Sequence, residues 1–537
     1  MRLTIIAALL VGLVLSFYHW AIPNLWQVKN YSPLVLNQNS PSFAVDETFY
    51  YGSKVRKILN GRWPDGAETG EAVGVISMAI LAKISGGIDK AFILADFIFP
   101  ALTFLILAYL LNLWLKNRLL ALTATLFVLT FYHYLTYFPY LPSVVKLMVQ
   151  YWKEGSYSSL IRGFHPQISL GLFFIFAAFL WKKSSWWLIA LLLALLTYTH
   201  FFYWTAALIW LIFFYFDRRL IKILTVWFIL TLPYWFFVIR LLPAVDFWQR
   251  NYFYLPPTIN QLLLLALGFL LAWRQKFWLS FYSGISTLLI FTVFLKLGPD
   301  DPIGHWFLRV VNPLTAILMI IGLFNKLKLR PVLLILICFL VLGFQFRLHW
   351  QYFKNNALAF RMEPAKLEAF NWLRQNSPAN SVVVTDSLAD SLYLPAYTQN
   401  TSYLKQAQLS QASNQELLQR FLEVNKTAGV KSEMLVKMFE DNNELKNKKR
   451  FNFDTCAGHY LYFREFNGSD YYSCRIPENK LQQILIQYEL MTPQLTYPTD
   501  YWLWGPFEAT WAQVNPDKMD KFKLLWENSK YKIYKLL

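Results

Sequence analysis

The first 350 residues alternate long apolar runs with short polar breaks. A run approaching about 20 apolar residues can cross a bilayer as a helix, because only a helix satisfies its own backbone polar groups in hydrocarbon. Residues 3 to 20 form such a run behind Arg2. Their flank, Phe17-Tyr18-His19-Trp20, lacks the small residues of a cleavage site, which predicts an uncleaved first helix. Further spans are predicted at about 91 to 115, 119 to 138, 166 to 181, 185 to 200, 202 to 216, 220 to 240, 258 to 273, 277 to 295, 306 to 324 and 331 to 348, eleven with the first.

Two stretches between the first and second spans read differently. Tyr51, Val55, Ile58 and Leu59 fall at i, i+4, i+7 and i+8, predicting an amphipathic helix that stops at Asn60-Gly61 and lies on the membrane surface, with Lys54, Arg56 and Lys57 toward lipid headgroups. Residues 71 to 85 are apolar but only about 15 long, short for a span, and predict an interfacial or half-inserted helix.

Charge fixes the expected orientation. With the N-terminus in the cytoplasm, the inner turns hold Arg2; Lys116 and Arg118; Lys182 and Lys183; Arg218, Arg219 and Lys222; Arg274 and Lys276; Lys326, Lys328 and Arg330. Every inner turn is then basic, as the positive-inside rule requires. The outer loops are 21 to 90, 139 to 165, a turn near His200, 241 to 257 and 296 to 305.

From about residue 351 the composition turns to Asn, Gln, Lys, Glu and Ser. A helix from Glu363-Pro364, a strand over 381 to 385, a helix after Pro477 and a hairpin about Asn528-Ser529 predict a small α/β domain on the outer side. The expected domains are therefore a transmembrane part, 1–350, with its first outer loop at 21–90, and an extracytoplasmic α/β domain, 351–537.

Composition sharpens this picture. The chain of 537 residues is 56% hydrophobic, 18% aromatic and 15% charged, which excludes an ordinary soluble protein. The net charge of +18 is accounted for in part by membrane topology, and no basic folded module suggests nucleic acid. Three cysteines exclude a disulfide-dense scaffold; Cys456 and Cys474 lie in the polar region, and their pairing is left open by spacing alone.

The candidate chemistry gathers in the outer loops. Asp46-Glu47 sits beside Phe49, Tyr50 and Tyr51, where Asp46 also reads as a helix cap and Glu47 as a first-turn acid. Arg162 and His165 precede the fourth span. Arg309 lies four residues after His305 inside an apolar segment, where an ionisable group is costly and faces a polar cavity or partner unless it snorkels out. His200 occupies an outer turn, and Asp96 lies near the outer end of its span as a buried acid.

An inside-to-outside first helix, an outer loop with Asp46-Glu47, Tyr50 or Tyr51 and Gly61, then a surface helix and a span ending at Lys116 and Arg118 resembles the GT-C superfamily of polytopic glycosyltransferases, in the branch of protein O-mannosyltransferases and the lipid A aminoarabinose transferase. The motif covers roughly residues 1 to 140, the remainder matching by architecture. The resemblance implies inverting transfer of a sugar from a polyprenyl-phosphate donor to a protein, lipid or glycan acceptor outside the cytoplasm of a cell bounded by its plasma membrane. Asp46 would be the base, Glu47 an acceptor-binding residue unless a divalent ion sits there, and Arg162, His165 and Arg309 would hold the donor phosphate. His200, His305, Asp96, Tyr50 and Tyr51 would line the cavity. A transporter or flippase of lipid-linked or anionic solutes, and a non-catalytic scaffold of the same fold, are the competing readings.

Overall fold

The computed structural model describes residues 2–34, 51–62, 71–137, 141–156, 160, 164–241, 243–251, 256–295, 302–326, 330–407, 410–439, 454, 456–462, 465–466, 474–514 and 516–537. The chain divides into two units: residues 1–27, 65–239 and 254–357 form the first, and residues 28–64, 240–253 and 358–537 the second.

The first unit is helical. Each apolar run that predicts a span carries a helix or a bent helix pair at its place. Among the described residues four helices have the length and hydropathy to cross a membrane alone: Ile88–Leu115, Lys276–Leu295, Ile303–Leu323 and Pro331–Asn355. Two bent pairs raise this to six, Arg2–Ser16 with Tyr18–Asn24 at 42° and Arg218–Leu230 with Leu232–Arg240 at 60°. The other apolar helices are shorter, 10–17 residues, so the structure gives a multi-pass membrane unit without fixing eleven crossings. Ala72–Ser85 is one of these short helices, ended by Gly86 at φ +79°, a left-handed conformation that glycine adopts without a Cβ clash.

The second unit is built on five strands among the described residues: β1 (Val382–Val384), β2 (Thr401–Ser402), β3 (Tyr501–Trp504), β4 (Phe522–Glu527) and β5 (Lys532–Leu536). Their order is β2-β1-β3-β5-β4. β1 is parallel to both β2 and β3, whereas β5 runs antiparallel to β3 and β4, so the expected hairpin is present. The helices Pro364–Asn376 and Glu478–Leu490 also stand where the sequence predicts them. Cys456 and Cys474 are joined by a disulfide.

Three early segments complete this unit. The backbone of Ser32 donates to the Phe360 carbonyl at 3.0 Å, and its hydroxyl meets that of Tyr397 at 2.7 Å. Helix Ser53–Leu59 packs on helix Leu388–Tyr397, with Val55 buried and Arg56 Nε donating to the Ala396 carbonyl. Lys54 is itself 3% exposed, with its ammonium 6.0 Å from the Tyr51 ring centroid. The expectation of lipid headgroups is corrected for Lys54, which is buried in protein; Arg56 spends its Nε on the Ala396 carbonyl, and protein covers Tyr51 and Val55 of the apolar stripe. In the segment 240–253, the buried Arg250 donates to the Ser410 and Ala412 carbonyls and to Asn414 Oδ1, and Asp246 accepts from the Asn414 backbone.

At the carboxyl ends of β1 and β3 the second unit gathers four acids, the buried Asp386, Asp390 and Glu508 and the half-buried Asp454. Glu508 Oε1 accepts from the Thr385 hydroxyl at 2.6 Å and the Asp386 backbone at 2.8 Å, and its Oε2 accepts from Gly505 N. Asp454 accepts from the Ser387 hydroxyl and Ala389 N, while Asp390 pairs with Lys366 at 2.5 Å. Both Asp386 oxygens are buried without a partner among the described residues. Desolvation raises Asp386 well above the ordinary carboxyl range and lifts Glu508 to about 7 and Asp454 to about 6.

Candidate functional site

Arg309 stands in the first unit on a π-helical turn over Phe307–Val311, between the short helix Pro302–Trp306 and Asn312–Lys326. A π-turn inserts one residue into the helical repeat and re-aims the side chains around it, a departure common at functional sites. Arg309 Nε donates to His305 Nδ1 at 3.3 Å, and the guanidinium carbon lies 5.9 Å from the Phe202 ring centroid. The His305 ring stacks on the same phenyl, with centroids 4.8 Å apart and planes at 30°. Trp306 meets Phe202 edge-on at 5.6 Å and donates its indole N–H to Thr205. Among the described residues no carboxylate pairs with Arg309. The arrangement is a half-buried cation against an aromatic face, with its charge unneutralised by any described acid and suited to an anion.

The sequence places His200 next to this group, and the structure does so too. His200 is the N-cap of helix Phe201–Phe214, its Nδ1 accepting from Phe202 N at 3.4 Å, with its ring 5.2 Å from Phe202 and 6.0 Å from Tyr203. The buried Tyr203 lies within electrostatic reach of Arg309. The turn before His200 also receives the start of Ala72–Ser85, because Val73 N donates to the Tyr198 carbonyl at 3.0 Å. That brings Glu71, 8% exposed, to the same end of the unit.

Asp96 belongs to a separate network. Its Oδ2 accepts from the Tyr18 hydroxyl at 2.6 Å and stands 2.9 Å from His19 Nε2, while its Oδ1 accepts from Gln167 Nε2 at 2.5 Å. Asp96, His19 and Gln167 are all buried. This acid fastens three helices, Tyr18–Asn24, Ile88–Leu115 and Phe164–Trp181, and both of its oxygens are occupied by protein donors. An intramembrane acid held this way is a strut, and its partners explain how its charge is tolerated.

The remaining candidates are placed as follows. His165 lies in the first turn of Phe164–Trp181, two residues before Gln167, and its side chain lies outside the described residues. Tyr51 is in the second unit, buried just before helix Ser53–Leu59. Asp46, Glu47, Tyr50 and Arg162 lie outside the described residues. Among the described residues no group of three His, Cys, Asp or Glu side chains is arranged to hold a metal ion. Sequence reasoning missed Tyr18, His19 and Gln167 as partners of Asp96, although two polar residues ending an apolar run were a visible signal. It also missed Glu71, which was read only as the beginning of an apolar stretch.

No protein-family model matches the chain. No curated protein matches it in sequence. Solved structures similar to it include ArnT from Cupriavidus metallidurans, in the apo state at 12% identity and TM-score 0.43, over 97% of this chain and 98% of that one. ArnT from the same organism bound to undecaprenyl phosphate is similar at 11% identity and TM-score 0.44, over 97% of each chain. The archaeal oligosaccharyltransferase AglB from Archaeoglobus fulgidus, in complex with an inhibitory peptide and a dolichol-phosphate, is similar at 12% identity and TM-score 0.31, over 98% of this chain and 74% of that one. Both proteins are GT-C glycosyltransferases.

Proposed function

We propose that the protein is an integral-membrane glycosyltransferase that moves a sugar from a polyprenyl-phosphate donor to an acceptor on the extracytoplasmic side, with inversion at the anomeric carbon. The observation that carries this reading is Arg309: a cation set by a π-turn inside an apolar helix, stacked against Phe202 with His305 and matched by no described acid. Such a cation is costly in a membrane helix, and a departing phosphate is the kind of anion that repays the cost.

In the proposed step, the acceptor hydroxyl oxygen attacks the anomeric carbon as its proton passes to a carboxylate. The carbon–oxygen bond to the phosphate breaks, and the electron pair leaves with the phosphate. Arg309 offers charge and N–H donors to that leaving group, acting most strongly where negative charge develops. Asp46 is assigned as the base from its place in the first outer loop, with Glu47 beside it binding the acceptor. Arg162 and His165 are assigned to the donor phosphate, His165 standing at the start of the helix that Gln167 ties to Asp96. An N-terminus in the cytoplasm and eleven crossings complete the reading.

The test is transfer of radiolabelled sugar from polyprenyl-phosphate donors by purified wild type and Asp46→Asn. Loss of transfer by at least about a hundredfold in the folded variant is expected for a general base. Full activity in the variant removes Asp46 from the role, and no turnover by wild type with any donor defeats the proposal.

A further inference from the structure

The far end of the helix that carries Phe202 opens onto a cavity of ≈ 630 Å³. Phe214 closes that helix twelve positions after Phe202, which at 1.5 Å per residue is about 18 Å along its axis. The cavity is therefore separate from the Arg309 cluster. Its walls include Trp181, Phe214 and Phe277, at the ends of three neighbouring helices. Trp181 and Phe277 meet edge-on at 4.9 Å, and Phe214 meets Phe277 at 5.7 Å, so the wall is a packed aromatic surface.

Three cations line the same cavity: Lys183, Arg219 and Lys276. Lys276 Nζ lies 5.8 Å from the Phe214 ring centroid, and the Arg219 guanidinium interacts with the Tyr215 hydroxyl. The acid in the lining, Asp217, is turned to another use. Its Oδ1 accepts from Arg219 N at 2.7 Å and caps helix Arg218–Leu230, so the carboxylate serves the backbone. Among the described residues no acid forms an ion pair with Lys183, Arg219 or Lys276.

We infer that this cavity is a second binding site, for the phosphate-bearing headgroup of an anionic amphiphile, distinct from the site of the proposed reaction. The volume suits a headgroup, whose scale is about 300–1,000 Å³ for small-ligand sites. Cations supply the phosphate contacts and the aromatic wall takes the apolar part next to it. Lys183, Arg219 and Lys276 are exposed, but all three line one cavity that Trp181, Phe214 and Phe277 also wall, so a single ligand there meets both charge and aromatic surface. The inference does not depend on glycosyl transfer.

The full-length protein in a zwitterionic detergent is titrated with dioctanoyl phosphatidylglycerol, followed by native mass spectrometry and thermal shift. Wild type should bind it, and Arg219→Gln/Lys276→Gln should bind at least about tenfold more weakly, the loss expected from removing two charge-assisted contacts. Arg219→Lys/Lys276→Arg, which keeps both charges, should bind like wild type. Dioctanoyl phosphatidylcholine and inorganic phosphate separate the sources. Weak binding of both assigns a phosphorylated amphiphile, whereas phosphate displacing the lipid at equal concentration assigns a free anion and overturns the amphiphile. Equal binding by phosphatidylcholine, or unchanged binding by the Gln pair, overturns the site. All three cations are exposed, so the variants should fold, which monodisperse elution checks.

Discussion

Arg309 donates to His305 across a single turn, Nε to Nδ1 at 3.3 Å, and both rest on the ring of Phe202. The histidine thereby fixes which edge of the guanidinium is spent on protein and which is left to a ligand. Arg309→Lys keeps the charge but loses the planar fork, so transfer should fall about tenfold, and Arg309→Gln should lose about a hundredfold or more. The loss should appear in kcat as well as KM if the contact tightens as phosphate charge develops. A change confined to KM would mark Arg309 as a binding group only.

Phe202→Leu removes the ring under both His305 and Arg309 while keeping an apolar side chain. It should lower transfer by about three- to tenfold, the scale of a lost cation–π contact of about 0.5–1 kcal/mol plus some misplacement. Steady-state kinetics beside Arg309→Gln gives the check, and the double variant should be less than additive because the ring acts through the cation.

Asp96→Ala leaves Tyr18, His19 and Gln167 buried without their common acceptor. The expected loss is about 3 kcal/mol or more, from several desolvated donors at once, measured as a fall in the unfolding midpoint in detergent. Asp96→Asn should lose less, since one oxygen still accepts. His19→Ala in the Asp96→Ala background should cost little further, and additive losses would separate the two residues.

The acids of the second unit give a pH dependence with a definite sign. Unfolded, Asp454 and Glu508 titrate near the ordinary carboxyl range; folded, they hold protons up to about 6 and about 7. The folded state thus binds more protons between those limits, and stability is fully present below about pH 4 and falls as pH rises through 6 to 7. Asp454→Asn keeps the oxygen that accepts from Ser387 and Ala389, and should flatten the lower part of this fall. Its stability at pH 8 should rise by about 1–3 kcal/mol. Thermal unfolding between pH 4 and 8, followed by tryptophan fluorescence, measures both effects.

Cys456 and Cys474 close a loop across a sequence separation of 18. A loop of that size restricts the unfolded chain by about 3 kcal/mol, so Cys474→Ser should lower the stability of the second unit by that order. Thiol alkylation before and after reduction should raise the count of reactive cysteines by two, with Cys338 the remaining thiol.

Local pattern carried most of the fold. Helices arise where apolar runs predict them, and Val382–Val384, Pro364–Asn376 and the last hairpin follow from β-branched residues, a first-turn proline and an Asn-Ser turn. Two features escaped, one because its partner is remote in sequence and one because a visible local pattern was passed over. The stripe of Tyr51, Val55 and Ile58 is equally suited to lipid or protein, and only the fold supplies helix Leu388–Tyr397 as the neighbour against which its helix packs, with Tyr51 and Val55 buried. Helix Leu141–Glu154 has an amphipathic repeat visible in the sequence, yet its loop was read for Arg162 and His165 alone. At the candidate site, Arg309, His305 and His200 were legible as polar groups in apolar surroundings. Phe202, the ring on which they meet, looked like any other span residue.

The contact between Ser32 and Tyr397 joins positions 365 residues apart, and Arg250 reaches across 160 or more to its carbonyls. Synthesis delivers these early segments long before the strands that receive them. Ser32, Val55 and Arg250 therefore stay without these partners until residues 360–414 have been made, and the sheet that those residues join is completed only by the strands over 501–536. A ribosome stalled before residue 358 would leave a chain whose helices can insert but whose segments 28–64 and 240–253 are open to protease, so their protection reports on the arrival of the later part of the same unit.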